Sequence, residues 1–185
     1  MRKLVVTENI TVDGVIDAAD GWFGVADDPD VDQADLVAAL REQSDAADAV
    51  LFGRVTFEDM RGYWKQRADE EGVGDYLDRV AKYVVSGTLR DPGWENTTVL
   101  SGPLADEVRA LKARPGADIV TTGSITLVHA LIEAGLVDEY RLFVYPVVVG
   151  RGARLFTQAP ELLKLRLAES RPFRNGVVLL RYTAG

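Results

Sequence analysis

The sequence contains no cysteine, and this one absence excludes several kinds of chemistry. Disulfide bridges, thiolate metal sites, iron–sulfur clusters and cysteine nucleophiles all require a residue that the chain does not have. The chain has a single histidine, His129, with no second histidine and no carboxylate cluster beside it in the sequence. We therefore expect neither a metal site nor a catalytic base at His129, and we favour a reducing, cytoplasmic location.

Long apolar runs are also missing. The longest, around residues 145–149, is far too short to cross a bilayer as a helix, and Glu8 interrupts the N-terminal segment before a signal-peptide core could form. The 29 acidic residues outnumber the 21 basic ones, and the resulting net charge of −8 disfavours binding to nucleic acid or an anionic membrane. We expect a soluble protein whose partner is a small molecule.

The length of the chain bounds its organisation. Its 185 residues, 47% of them hydrophobic, suffice for one well-covered core but not for a second full domain, so we predict a single domain over residues 1–185. No internal repeat, low-complexity tract or linker interrupts the sequence. The acidic, glycine-containing stretch at residues 69–75 is predicted to be a surface loop.

The order of the apolar runs predicts an α/β fold. Strands are predicted at residues 4–7, 49–52, 83–85, 98–100 and 119–120. Each of them after the first is followed by a glycine-containing turn and a helix-like stretch. This alternation is typical of right-handed βαβ crossovers and therefore of a largely parallel sheet.

The remaining elements complete this prediction. A helix follows the first strand and its loop, with Asp32 as the N-cap and Asp35 in the first turn. Near the C-terminus, strands are predicted at residues 140–149, 165–172 and 177–183. The last two are joined by the hairpin signal Arg174-Asn175-Gly176, so we expect the sheet to finish antiparallel.

Three turns at strand ends combine glycine with side chains that can hold an anion. They are Gly53-Arg54-Val55-Thr56, Ser86-Gly87-Thr88 and Thr122-Gly123-Ser124-Ile125-Thr126. Each turn alone is explained equally well as a tight turn or a helix cap. Together they would line the edge of the sheet where ligands of parallel α/β folds bind, and they could hold the separated phosphates of a dinucleotide. The GxGxxG Rossmann fingerprint is absent.

Longer stretches resemble the dihydrofolate reductase superfamily, and most closely the bacterial group similar to the reductase domain of the riboflavin-biosynthesis deaminase/reductase. The stretches are TVDGVI at residues 11–16, LFGRVTFE at 51–58, GLVDE at 135–139 and PVVVGRG at 146–152. The resemblance implies a three-layer α/β sandwich whose mixed sheet is mostly parallel with an antiparallel C-terminal part. It also implies an NADPH-dependent reductase that acts on a pterin-like or aminopyrimidine compound.

The same resemblance implies where the cofactor binds. The residues that it assigns to the NADPH site are Asn9, Ile16, Gly53, Arg54, Thr56, Ser86, Gly87, Thr122, Gly123, Ser124, Ile125 and Thr126. Gly87 stands where the family often carries a basic residue, and this difference weakens the expected contact with the 2′-phosphate. NADPH is therefore the preferred cofactor, with NADH as the alternative.

Candidates for catalysis and substrate binding also follow from the resemblance. Dihydrofolate reductases place a carboxylate on the first helix to bind the pterin. Asp32 and Asp35 are the candidates, and we predict Asp35 as the catalytic carboxylate, with helix capping as the competing explanation. Trp22 lies in the loop that covers the nicotinamide in the family. We predict that Trp22 contacts the substrate, with a packing anchor as the alternative.

Four other charged residues have simpler explanations. Asp138 and Glu139 are expected to start a strand or to pair with an arginine. Arg151 and Arg154 are expected to be surface charges, with contact to an anionic substrate tail as the alternative.

The preferred mechanism is hydride transfer to an electron-poor C=N or C=O bond, in which the protein orients the reacting rings and excludes water. A nucleotide- or ligand-binding protein that has lost turnover on the same fold is the alternative. We also expect a homodimer, because the strand at residues 140–149 and the terminal hairpin leave sheet edges that a monomer would have to shield.

Overall fold

The computed structural model describes residues 1–19, 21–64, 73–157 and 162–185. The strands are β1 (Leu4–Thr11), β2 (Ala47–Gly53), β3 (Ala81–Val85), β4 (Thr97–Leu100), β5 (Asp118–Thr121), β6 (Glu139–Tyr145), β7 (Leu165–Pro172) and β8 (Val178–Ala184). The α-helices are α1 (Ala34–Asp45), α2 (Arg54–Trp64), α3 (Val73–Arg79), α4 (Leu104–Ala113) and α5 (Ile125–Glu133), and a 3-10 helix spans Trp22–Ala26. None of the helices that the structure describes is long and apolar enough to cross a bilayer.

The strands form one eight-stranded sheet in the order β4-β3-β2-β5-β1-β6-β8-β7. The six strands from β4 to β6 in this order pair in parallel, whereas β8 is antiparallel to β6 and β7 is antiparallel to β8. The predicted mixed sheet with an antiparallel finish is therefore confirmed. Because six neighbouring strands run the same way, their carboxyl ends meet at one edge, which we call the carboxyl edge.

Helices cover both faces of the sheet. Side chains alternate along each strand, so Leu51 of β2 packs with α4 and α5 while its neighbour Phe52 packs with α2 and α3. The 3-10 helix and α1 extend the second layer over β6 and β8. This arrangement is the predicted three-layer sandwich, and it buries one large apolar cluster on one side of the sheet and three smaller ones on the other.

Several predicted boundaries were wrong. No helix follows β3, because residues 86–96 run to β4 as a loop. The long strand predicted at residues 140–149 ends at Tyr145, since Pro146 has no N–H to continue a ladder. The predicted loop at residues 69–75 includes the first turn of α3, which begins at Val73, while residues 69–72 lie outside the described residues.

The start of α1 differs from the prediction by one residue. Gln33 occupies the N-cap position and makes no side-chain cap. Asp32 nevertheless accepts a hydrogen bond from the N–H of Ala34 at 2.9 Å, and it also forms an ion pair with Arg174 in the β7–β8 turn. Asp32 therefore satisfies a free N–H at the helix start and ties α1 to the terminal hairpin.

A buried ionic cluster lies at the beginning of β6. The side chain of Glu139 is 1% exposed, and its Oε1 accepts hydrogen bonds from Arg141 Nε at 2.7 Å and Arg181 Nη2 at 2.9 Å. Lys3 Nζ lies 3.2 Å from the other oxygen, Oε2. Burial alone would raise the pKa of Glu139, but the hydrogen bonds and charges of Arg141, Arg181 and Lys3 outweigh it and hold the pKa at about 2. The prediction that Glu139 starts a strand and pairs with arginine is confirmed.

Candidate functional site

Two helix N-termini lie side by side at the carboxyl edge. Helix α2 begins at Arg54 directly after β2, and α5 begins at Ile125 shortly after β5. The two starts are joined by a hydrogen bond of 2.9 Å from the N–H of Gly53 to Ser124 Oγ. Ser124 therefore makes no side-chain cap on its own helix. The first N–H groups of both helices point to the same edge, where they and the helix dipoles favour an anion.

Gly123 makes the close approach of these two turns possible. Its φ of +69° lies in the left-handed region, and an added Cβ would lie 3.3 Å from Thr56 Cγ2. Any larger residue at position 123 would be strained and would push against the first turn of α2. The predicted cofactor residues Gly53, Thr56, Gly123 and Ser124 are thus brought together at one place, with Thr122 beside them.

The third predicted turn lies one strand further along the same edge, because β3 is the neighbour of β2. Ser86 Oγ accepts hydrogen bonds from the N–H groups of Thr88 at 3.2 Å and Leu89 at 3.0 Å, so it stabilises its own loop. Gly87 is exposed, with open space around its missing side chain. The turn therefore lies beside the end of β2 and Gly53, at the same edge of the sheet.

Arg54 lies at the start of α2 with 44% of its side chain exposed. Its Nη1 is 2.7 Å from Glu58 Oε2, one helical turn further on. Such an exposed pair contributes little to stability, so the guanidinium can turn toward a phosphate at small cost.

A cavity of about 870 Å³ lies on the face of the sheet covered by α1, α2 and α3, and it reaches the carboxyl edge. Its size is typical of small-molecule sites. Six aromatic residues line it: Phe23, Phe52, Tyr63, Trp64, Tyr76 and Phe143. Thr56 and Thr122 belong both to this lining and to the two turns at the helix starts. The two helix starts and the apolar cavity are therefore adjacent.

Glu8 is the residue that the sequence analysis missed. It lies in the middle of β1, is 4% exposed, and its Oε2 accepts a hydrogen bond of 3.1 Å from the N–H of Gly123. Its other oxygen, Oε1, is buried without a hydrogen-bond partner among the described residues, and so is Thr121 Oγ1 on the neighbouring strand. Burial raises the pKa of Glu8 to about 8, against the lowering effect of the Gly123 N–H.

The direction of the Glu8 side chain follows from strand alternation. Thr7 and Asn9 point to the cavity face, so Glu8 points to the opposite face, under the start of α5. Leu142, its partner on β6, carries no charge, and the first turn of α5 contains no acidic residue. The carboxyl group thus stabilises the turn at Gly123 by accepting the hydrogen bond from its N–H. A charged residue on the strand face that otherwise carries Leu4, Val6 and Ile10 was the sequence signal that could have revealed it.

The sequence matches a known protein family over nearly its whole length. The model of the RibD C-terminal domain matches residues 2–179. The chain belongs to this family. It is 30% identical over 188 residues to the uncharacterized protein YyaP of Bacillus subtilis (strain 168), with 98% of this chain and 94% of YyaP covered.

Solved structures share the fold of this RibD C-terminal domain. The putative riboflavin biosynthesis protein from Shewanella sp. PV-4 superposes with a TM-score of 0.74 at 18% identity, and 99% of each chain is covered. The pyrimidine reductase-like protein from Corynebacterium diphtheriae NCTC superposes with a TM-score of 0.67 at 18% identity, covering 100% of this chain and 92% of the other. The predicted dihydrofolate-reductase-like fold is therefore confirmed.

Two predicted residues of this RibD C-terminal domain lie apart from the cavity lining. Asp35 Oδ2 accepts a hydrogen bond of 3.0 Å from the N–H of Arg174, so its carboxylate fastens α1 to the terminal hairpin. Trp22 is 5% exposed, and its Nε1 donates to the carbonyl of Asp17 at 2.7 Å. Its neighbour Phe23 lines the cavity instead. The catalytic role of Asp35 and the substrate contact of Trp22 stay predictions.

The remaining predicted positions flank the site. Asn9 lines the cavity, and Ile16 is buried in the core, where its N–H donates to the carbonyl of Ala153 at 2.9 Å. Ile125 and Thr126 form the first turn of α5.

His129 and Arg154 hold the loop that leads from β6. His129 Nε2 lies 2.8 Å from the carbonyl oxygen of Arg154, and Arg154 Nε donates to the carbonyl of Asp13 at 3.0 Å. Among the residues that the structure describes, no group of three histidine, aspartate or glutamate side chains could hold a metal ion.

Proposed function

We propose that the protein is an NADPH-dependent reductase that transfers a hydride to a C=N or C=O bond of a pterin-like or aminopyrimidine compound. The observation that carries the proposal is the junction of two helix N-termini with an aromatic cavity through Thr56 and Thr122. A dinucleotide needs an anion site for its phosphates and an adjoining apolar site for its reacting ring, and this junction supplies both. Membership of the RibD C-terminal domain family and the likeness to a pyrimidine reductase-like protein support the substrate class.

The residues at the carboxyl edge fit the cofactor. The starts of α2 and α5 offer N–H groups to its phosphates, Gly53 lets the backbone approach closely, and Arg54 adds a mobile guanidinium. Two donors of these turns are already in use, since the N–H of Gly123 is bonded to Glu8 and the N–H of Gly53 is bonded to Ser124. When bound, the cofactor would supply the hydride from its nicotinamide ring.

The protein's own contribution would be orientation and exclusion of water. The aromatic walls hold a flat substrate against the strand ends of β1 and β5, where Asn9 and Thr122 line the cavity. Desolvation of both rings strengthens every polar contact between them and the protein. Reduction of a C=N bond also takes up one proton at nitrogen, which a side chain of the cavity or a water molecule delivers.

Arg54→Ala tests the cofactor assignment. A charge-assisted hydrogen bond is worth about 1.5–3 kcal/mol, so the substitution should weaken NADPH binding by about 10- to 100-fold. If Arg54 contacts the 2′-phosphate, the loss will be much smaller for NADH. If it contacts the pyrophosphate, both cofactors will lose affinity alike. Fluorescence titration of NADPH and NADH against the purified protein measures the effect.

Arg109→Ala is the matched control for this test. Arg109 is also an exposed arginine paired along a helix, with Asp106 on α4, and it should leave both affinities unchanged. Melting temperatures should be the same for both variants. An Arg54→Ala protein that binds both cofactors as tightly as the parent would contradict the assignment.

Turnover is tested separately by the loss of NADPH absorbance with dihydropterins and aminopyrimidines. Oxidation of NADPH that depends on one of these compounds is the expected result. Tight NADPH binding without turnover of any compound would instead favour a nucleotide-binding protein on the same fold.

A further inference from the structure

We propose that the substrate is a flat heterocycle that carries amino groups and no phosphate, and that the carboxylate of Asp59 recognises its amino groups. This inference rests on the proposed function, because it assigns the substrate half of the same site. It is carried by the charges and the packing of the cavity lining.

The apolar lining selects for a flat ring. The six aromatic residues come from five different elements, so rings face the cavity from several sides. Tyr63 and Trp64 at the end of α2 meet edge to face, with their centroids 5.0 Å apart. Aromatic surfaces in this arrangement favour a planar guest that can stack or make edge contacts. Leu40, Met60 and Leu77 fill the spaces between the rings.

The charged groups of the lining are acidic. Among the lining residues that the structure describes, the charged types are Glu8 and Asp59, and no arginine, lysine or histidine occurs. Because the Glu8 side chain points to the other face of the sheet, Asp59 presents the carboxylate of the cavity. A phosphate placed beside Asp59 would lose its hydration without gaining a cationic partner among the described lining residues, and it would face a like charge.

Asp59 is available to a ligand. It is exposed on α2, one residue after Glu58, which is engaged by Arg54. Asp59 forms no hydrogen bond or ion pair with any described residue. A carboxylate accepts two N–H groups side by side, so the amino groups of an aminopyrimidine are well suited to it.

Polar side chains of α1 also favour a ligand without a phosphate. Gln43 Oε1 lies 3.1 Å from Thr7 Oγ1, which donates to it, and Ser44 lines the cavity next to Gln43. These groups can bond to hydroxyl and carbonyl groups of an uncharged ligand. Neither of them compensates the charge of a phosphate.

The test compares two ligands that differ only by a phosphate. The probes are 5-amino-6-ribitylaminouracil and its 5′-phosphate, titrated without cofactor while the quenching of tryptophan fluorescence is followed. Trp64 in the lining makes this signal sensitive to occupation of the cavity. We expect the unphosphorylated compound to bind about 10-fold more tightly than the phosphate.

Asp59→Asn should weaken binding of the unphosphorylated compound by about 10-fold, because the charge-assisted hydrogen bonds are lost. The preference against the phosphate should shrink, since the like charge is gone. Asp106→Asn, which removes an exposed carboxylate on the other face of the sheet, should change neither affinity.

Three results would overturn the proposal. The first is tighter binding of the phosphate than of the unphosphorylated compound. The second is an Asp59→Asn variant with unchanged affinities, and the third is failure of both probes to bind. NADPH titration keeps the two hypotheses apart, because a protein that binds NADPH but prefers the phosphate refutes only the substrate class.

Discussion

The parent protein is expected to lose stability as the pH rises from about 5 to about 9, and Glu8→Gln is expected to abolish most of this loss. The pKa of Glu8 is about 8 in the fold against an ordinary value of 4.5. Between these values the folded protein keeps a proton that the unfolded chain has released, so unfolding is favoured as the pH rises. The full shift corresponds to about 5 kcal/mol, and we expect a measured effect of about 3–5 kcal/mol.

Urea denaturation at a series of pH values measures this effect. The parent should lose stability steadily above about pH 5, and the Glu8→Gln curve should be much flatter over the same range. Glu133→Gln, at the exposed end of α5, is the control and should follow the parent curve. Parallel curves for the parent and Glu8→Gln would show that Glu8 titrates normally and that the buried carboxyl group is ionised at neutral pH.

The same variant connects stability with the cofactor site. Glutamine keeps an oxygen that can accept the hydrogen bond from the N–H of Gly123, so the turn before α5 should be preserved. NADPH affinity of Glu8→Gln should therefore match the parent at about pH 7 and exceed it above about pH 8, where ionised Glu8 would repel the phosphates.

Glu139→Gln is expected to destabilise the protein by about 3–5 kcal/mol at neutral pH, the usual cost of breaking a buried ion pair. Glu139 is the buried partner of both Arg141 and Arg181, so its removal leaves two arginines with one carboxylate each, Asp118 for Arg141 and Glu169 for Arg181, and leaves the buried Arg141 guanidinium only partly compensated. Its pKa of about 2 lies below the ordinary 4.5. The stability that it contributes is present above about pH 4.5 and is lost as the pH falls toward 2.

Glu169→Gln provides the matched control. Glu169 pairs with the same Arg181, at 2.9 Å, but its side chain is 24% exposed on the outer strand β7. We expect a loss of less than about 1 kcal/mol, as for other solvent-accessible pairs. Chemical denaturation of both variants at neutral pH gives the comparison, and equal losses would mean that burial at Glu139 adds nothing to the strength of its contacts.

The parallel half of the fold could be predicted because its signals are local. A buried strand reads as a run of apolar residues, and a glycine with hydroxyl side chains after it marks the turn into the next element. The turns at Gly53 and Thr122 were found in this way. Their shared hydrogen bond, Gly53 to Ser124, joins residues 71 positions apart, and no local pattern encodes it.

Glu8 escaped prediction for a related reason. Glutamate is depleted in strands, so the local pattern predicts a first strand that ends at Thr7. In the fold, β1 continues to Thr11, and the carboxyl group is tolerated because the N–H of Gly123 and a raised pKa offset its burial. The partner lies 115 positions away in the sequence.

Asp35 shows how helix register decides a functional prediction. The residues of α1 that line the cavity are Leu40, Gln43 and Ser44, which continue the buried stripe of Leu36 at a spacing of three to four. Asp35 precedes Leu36 by one residue and is therefore turned about 100° away from the stripe. Asp35 instead reaches the terminal hairpin. The position of that hairpin depends on the antiparallel end of the sheet, so the sequence of α1 alone does not predict the contact.

The position of β1 in the sheet also determines when the centre of the sheet can fold during synthesis of the chain. The N-terminal strand lies between β5 and β6, so both of its neighbours come from the second half of the chain. At about 5–20 residues per second, a ribosome needs several seconds to make those neighbours after the first strand has emerged. Leu4, Val5 and Val6 therefore lack their native strand neighbours for that time. Folding of the centre of the sheet therefore follows synthesis of Glu139–Tyr145.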